Sequence, residues 1–351
     1  MPALTLTRRH LNRAMLARQL LLQRVRLPIA RAVERVGGIQ AQYAPSAYVG
    51  LWSRLDGFAR TALTGALTDR RVVQGTLMRA TIHLVSAADY PLFAAGLRTP
   101  RREWWLRVAR GRGLDAVAYH DVVDLLRVRL AAGPQRSGDL IAALVAVGYP
   151  KEAWEGAGLW LDMVRVPPSG TWERRRADLL ALADTWLAPV APVGEETGQA
   201  HLLRRYLGSF GPAPLAAAAN WAGVPVATLA AVAEPMRLRH LRDEEGNELL
   251  DLARAPLPDP DTPAPVRFLP TWDAVLLAHA RRAGILPEEH RATVFTTRNP
   301  HSVGTFLVDG AVAGTWIVDG PRINAEPFAP LPLRLRRELA TETERLAAFH
   351  A

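Results

Sequence analysis

Apolar positions recur at helical spacing along most of the chain, broken by short β-branched runs and by glycine- or proline-rich joints. "TRRHLNRAMLARQLLLQ" (7–23) reads as an amphipathic helix with Thr7 as its N-cap. In "LPIARAVERVGG", Ile29, Ala30, Val33 and Val36 keep helical spacing behind a proline, and glycines end the run. "RTALTGALTDRR" (60–71) predicts a third helix. "VVQGTLMRATIHLVS" is rich in β-branched residues and interrupted at Gly75, which predicts a β-ribbon. Short helices followed by a ribbon form the pattern of a winged helix, a variant of helix-turn-helix.

The pattern recurs further along. "SAADY" opens a capped helix over 86–98, and a longer helix is expected over 114–130. Residues 136–150 read as a helix and turn. Residues 159–175 read as a helix end, a Pro-Pro-Ser-Gly turn and a strand. Residues 201–234 give three short helices, and "MRLRHLRDEEGNELLDL" gives a hairpin. No sequence repeat links these blocks. "APLPDPDTPAP" (255–265) reads as an extended linker. A helix near 271–282 follows, then the strands "ATVFTT" and "VGTFLVDGAVAGTWIV", the latter turning at Asp309-Gly310. "LPLRLRRELATETERLAAF" closes the chain as an amphipathic helix. The expected class is α+β, mainly α: three tandem winged-helix units (1–98, 99–196 and 197–255) and a C-terminal region of strands, hairpins and a closing helix (256–351).

Charge narrows the partner. The net charge is +9 with a pI near 10.7, and the chain has a single lysine, Lys151, so the excess is arginine. Such an excess attracts polyanions, nucleic acid first and acidic membrane surfaces second. Biased codon usage is the competing explanation. The absence of cysteine excludes disulfides and cysteine-ligated metal. The nine histidines show no ligand spacing, and no Walker loop or dinucleotide fingerprint occurs, so neither a metal nor a cofactor is expected. No apolar run approaches a membrane span and the start lacks a signal-peptide pattern, which predicts a cytoplasmic, nucleoid-associated protein.

The candidate chemistry starts at "GGIQAQYAPSAYVG" (37–50), where Gln40 and Gln42 flank Ala41. Residues two apart in an extended segment point the same way, so both amides can converge on one water; in a helix they would diverge. The alternative is a pair of polar side chains capping the preceding helix. In "MRATIHLV", period-two alternation puts Arg79, Thr81 and His83 on one strand face, either lining a pocket or decorating a half-exposed wing. His83 is expected to titrate near neutrality, with no carboxylate partner in view. Arg237, Arg239, His240 and Arg242 make the hairpin after 236 a basic wing. Arg298, Asn299, Pro300 and His301 form a stiff basic tip, read either as a minor-groove probe or as an ordinary loop. Trp104 and Trp105, among arginines, are either core or a stacking surface.

Five stretches together resemble the winged-helix DNA glycosylases of the AlkZ/YcaQ family. They are "VGGIQAQYAPSAYVGLWSR" (36–54), "LMRATIHLVSAADY" (77–90), "LGSFGPAPLAAAANWAG" (207–223), "VRFLPTWDAVLLAH" (266–279) and "FLVDGAVAGTWIV" (306–318). The resemblance implies a C-shaped monomer with a basic concave face. It also implies hydrolysis of the glycosidic bond of alkylated purines in double-stranded DNA, interstrand crosslinks included, as self-resistance to a genotoxic metabolite. It makes Gln40-Ala41-Gln42 the catalytic Gln-x-Gln motif and counts Tyr43 with the DNA contacts. Tyr43 departs from the acidic residue that often follows the motif, and alanines fill polar positions of the third segment. A purine alkylated at N7 carries its own positive charge and leaves without an acid, so a water held in line by glutamine is enough. Lys151 is the one lysine, and Pro2 has no acidic cluster behind it. A monofunctional enzyme with no Schiff base is therefore expected. The competing expectation is a winged-helix DNA-binding protein without catalysis.

Overall fold

Thr7 caps the first helix reciprocally. Its hydroxyl accepts from the His10 amide, while its own amide donates to His10 Nδ1 at 3.2 Å. The computed structural model describes residues 5–114, 117–278, 284–295 and 303–351. β1 (Thr5–Leu6) precedes α1 (Arg8–Arg18), and Pro28 opens α2 (Ile29–Arg35). Gly37 and Gly38, at positive φ, turn the chain into β2 (Ile39–Gln40). α3 (Ala44–Arg54) and α4 (Arg60–Thr68) follow. The periodicity does not reveal α3, because it is buried on every side and so shows no polar stripe. β3 (Val72–Thr76) and β4 (Ile82–Ser86) form the expected ribbon. Its break falls at 77–81, whereas Gly75 pairs normally within β3.

α5 (Tyr90–Gly111), α6 (Tyr119–Ala131), β5 (Gln135–Arg136), α7 (Ser137–Ala146) and α8 (Ala153–Trp160) lead to a second hairpin, β6 (Met163–Arg165) and β7 (Leu179–Leu182). α9 (Ala183–Trp186), α10 (Glu195–Phe210), α11 (Leu215–Ala222) and α12 (Val226–Ala233) precede the hairpin β8 (Leu238–Asp243) and β9 (Glu248–Leu252). The last segment holds β10 (Arg267–Leu269), α13 (Arg291–Val294), β11 (Gly304–Val308), β12 (Ala311–Asp319), β13 (Arg322–Pro327) and α14 (Leu333–His350). Asp309 and Gly310, both at positive φ, make the expected two-residue hairpin turn.

Two expectations fail here. Of the helix expected near 271–282, residues 279–282 lie outside the described residues, and 271–278 hold only a short 3-10 turn, Ala274–Leu276. Trp272 sits at φ +66 and Asp273 caps the turn through the Val275 amide, so no helix runs through. "ATVFTT" begins as the helical turn α13, not as a strand; its end lies outside the described residues.

The ribbons of the first two segments do not stay separate. β3 pairs with β6 at Gln74 and Arg165, giving one six-stranded sheet in the order β2-β4-β3-β6-β7-β5. α5 runs unbroken across position 98. β1 pairs in parallel with β8 of the antiparallel hairpin β8–β9, and β10 to β13 form a separate antiparallel sheet. The ends of the chain also share a core. Val33, Tyr48 and Leu51 pack with Phe268, Phe306, Trp316 and Leu346. Buried ion pairs tie the same ends: Arg18 with Asp251 at 2.7 Å, Arg24 with Glu342 at 2.7 Å, and Arg54 with Asp273 through two bonds of 2.9 Å. No helix among the described residues is long and apolar enough to cross a membrane.

Candidate active site

β2 ends at Gln40, directly opposite His83 of β4. Cross-strand partners share a face, so the amide and the imidazole stand side by side. The turn between β3 and β4 supplies the third group. Arg79 and Ala80 both adopt positive φ, at 52° and 56°, which takes Arg79 out of the strand. The expected single face of Arg79, Thr81 and His83 therefore does not form. The Thr81 hydroxyl closes the turn on the Met78 carbonyl at 3.0 Å. Arg79 nevertheless reaches Gln40, donating from Nη2 to Oε1 at 3.2 Å.

Arg79 is half-buried with no carboxylate partner among the described residues. Its Nη1 donates to the Trp221 carbonyl at 2.5 Å, at the C-terminal end of α11, where the helix dipole is negative. Burial lowers its pKa, yet a guanidinium stays charged at neutral pH. His83 is buried. Its Nδ1 lies 3.0 Å from the Thr81 carbonyl, which can only accept, so Nδ1 carries the proton and Nε2 keeps its lone pair. Burial first, and the Arg79 charge second, push its pKa down to about 3. The expectation that His83 titrates near neutrality is thus corrected: its ring stays neutral.

These groups line a small recess of about 10 Å³, room for about one water, together with Gly38, Trp221, Ala274, Leu277 and Ala278. Its wall comes from four of the five family-like stretches, which lie as much as 240 positions apart in the numbering (Gly38 to Ala278). No acidic residue is among the described residues of the lining. α3 is fastened to the far wall by Arg54 and Asp273, and by Ser46 to Thr271 at 2.8 Å.

Gln42 has a different setting. It is exposed, and its Oε1 accepts from the Ile82 amide at 2.8 Å, standing in for the backbone acceptor that would continue the β2–β4 ladder. Its amide N–H groups have no partner among the described residues. Tyr43 is exposed at the N-cap of α3, and its Oη accepts from Arg175 at 2.9 Å. Arg239 and Arg242 lie on the other hairpin, β8–β9. Arg239 is held by Asp251 and the Ala255 carbonyl, and Arg242 by the Gly246 carbonyl of its own turn. Arg298, Asn299 and His301 lie outside the described residues, as does Pro2. Trp105 is core, donating to Tyr119 Oη at 2.6 Å, while Trp104 is exposed. Lys151 is exposed beside Glu152. The described residues hold no cluster of three metal-ligating side chains.

Sequence reasoning missed Trp221, Leu277, Ala278 and Arg175. The first three contribute a backbone carbonyl and apolar wall, which leave no signature in residue type. Arg175 carried a signal, the run Arg174-Arg175-Arg176.

The fold and the recess define a protein that resembles a DNA-repair hydrolase in architecture. The structure of the DNA glycosylase AlkZ from Streptomyces sahachiroi superposes with a TM-score of 0.82 over 98% of each chain, at 18% sequence identity. The model of the family described as DNA glycosylase AlkZ-like matches residues 33–349. The chain belongs to this AlkZ-like DNA glycosylase family, and the resemblance carried by the five stretches is borne out at that level. No curated protein matches the chain.

Proposed function

We propose that this DNA glycosylase hydrolyses the N-glycosidic bond of purines alkylated at N7 or N3, that Gln40 and His83 hold the water, and that Gln42 faces the DNA strand. One observation carries the reading: the recess that gathers four of the family-like stretches holds an amide, a neutral imidazole and a guanidinium, and no carboxylate among its described residues. Such a set has no general acid for the leaving base and no anion for a cationic sugar. It suits a base that is already positively charged.

The second lone pair of Gln40 Oε1 and the lone pair of His83 Nε2 are two acceptors on one strand pair. Together they take both hydrogens of a water and leave its own lone pair for the anomeric carbon. Arg79 fixes the Gln40 amide so that its carbonyl does not rotate away. Gln42, anchored through Oε1, presents its N–H donors to the DNA strand. The absence of a Schiff-base lysine supports a monofunctional reaction that leaves an abasic site.

The test uses duplexes carrying N7-methylguanine, and separately a nitrogen-mustard crosslink, followed by hot-alkali strand scission. Base release is expected from both the methylated and the crosslinked duplex. The Gln40→Ala variant is expected to lose at least ~100-fold in rate, the scale of a lost positioning group. Full activity in that variant, or a covalent adduct trapped by borohydride, overturns the mechanism.

A further inference from the structure

The loop from 166 to 178, between β6 and β7, carries Arg174, Arg175 and Arg176, which the recess does not use. Its backbone is firmly held. Ser169 Oγ donates to the Arg176 carbonyl at 2.7 Å and accepts from the Asp178 amide at 2.8 Å. The Gly170 amide bonds the carbonyls of Arg174 and Arg176, and Gln74 Nε2 donates to the Gly170 carbonyl at 2.8 Å. Trp172 is buried, with its ring 5.6 Å from Tyr48 and 5.5 Å from Phe349. The loop is moored at its centre, and its three arginines stand exposed beyond the mooring.

With Arg136, Pro168, Ser169, Asp178 and Leu179 they line an open recess of about 300 Å³. Four guanidiniums there face one carboxylate, Asp178, which sits 3.3 Å from Arg136 and 3.2 Å from Arg176. Glu173, the other acid of the loop, is not in the lining. The Arg174 side chain has no partner among the described residues, and Arg175 donates to a neutral phenol, Tyr43. A rigid loop holding unneutralised planar donors suits an oxyanion, because little ordering entropy is left to lose on binding. Tyr43 directly follows Gln42, so this charge lies beside the candidate catalytic strand.

We propose that this recess binds a backbone phosphate of double-stranded DNA, and that the Arg175–Tyr43 contact sets where that phosphate lies relative to Gln42. The choice of a DNA phosphate over a free anion rests on the glycosylase reading.

The experiment measures binding of a short undamaged duplex across a salt series. The Arg174→Ala/Arg176→Ala double variant is expected to bind roughly three- to tenfold more weakly near 0.1 M salt. The slope of log K against log salt should shrink by about 1, the release expected for one lost phosphate contact. The Arg174→Lys/Arg176→Lys variant should retain the slope. Unchanged binding overturns the proposal. So does weaker binding at an unchanged slope, which marks a structural role, and so does inhibition by inorganic phosphate alone with duplex binding intact. Because the duplex is undamaged, base release from methylated DNA by the unaltered protein is scored separately and decides the glycosylase reading on its own.

Discussion

His83 shows how a residue's chemistry is set by its surroundings. In the unfolded chain its ring takes a proton near pH 6.5, whereas in the fold it does so only near 3. A depressed native pKa means that the unfolded state binds the extra proton first. The contribution of neutral His83 to stability is therefore complete above about pH 6.5 and is lost as pH falls toward 3, by about 1.4 kcal/mol per pH unit. Urea unfolding between about pH 7 and 4 should show this slope, and His83→Gln should be shallower by that amount; equal slopes would refute the buried neutral ring. The same ring predicts base release that is flat between about pH 5 and 8, because neither glutamine titrates. Arg239 teaches the opposite lesson. Its type and its place in a basic hairpin mark it as a DNA contact, yet it serves Asp251, which Arg18 also holds. Residue type was legible in the sequence, and the partner was not.

At the scale of elements, α11 joins the Arg79 turn of the candidate site through its end. Its Ala218, Ala219 and Ala222 pack inward, and Asn220 is its one exposed polar side chain. What it supplies is the Trp221 carbonyl that steadies Arg79. Gly223 ends the helix at φ +76, and a Cβ there would lie 3.1 Å from the Arg79 backbone. Gly223→Ala should cost roughly 1–2 kcal/mol from the left-handed conformation, and should also slow base release by displacing Arg79. Gly246→Ala has φ +83 with nothing within 4 Å, so it should lower stability without affecting the rate. If the two variants have equal rates, α11 does not position Arg79. The caps and turns of these elements were legible, from Thr7 and Pro28 to the Asp309-Gly310 hairpin. α3 was hidden by its burial on all sides, and the Ala274–Leu276 turn by an apolar spacing that mimics a helix.

At the scale of the molecule, the recess is made by closing distant parts of the chain on one another. Arg54 and Asp273 clamp α3 to the segment that carries Leu277 and Ala278. Asp273→Ala leaves a buried guanidinium without its counter-charge and should cost about 3–5 kcal/mol of stability. Urea unfolding measures this, and a loss below about 1 kcal/mol would show that the clamp is dispensable. The continuous six-stranded sheet belongs to the same scale. Each hairpin was legible alone, since turn chemistry and alternation are local, but the pairing of Gln74 with Arg165 is not.

By itself the sequence determined most of the local elements, the arginine excess and, through five quoted stretches, the family. Those depend on neighbours within a few positions, on total charge, or on motif order. Only the tertiary structure decided that Gln40 stands opposite His83, that Arg79 meets a helix end and not an acid, and that His83 stays neutral. Each of these rests on burial or on a partner far along the chain, and hydrophobic periodicity records which face of an element turns inward without recording what it meets there.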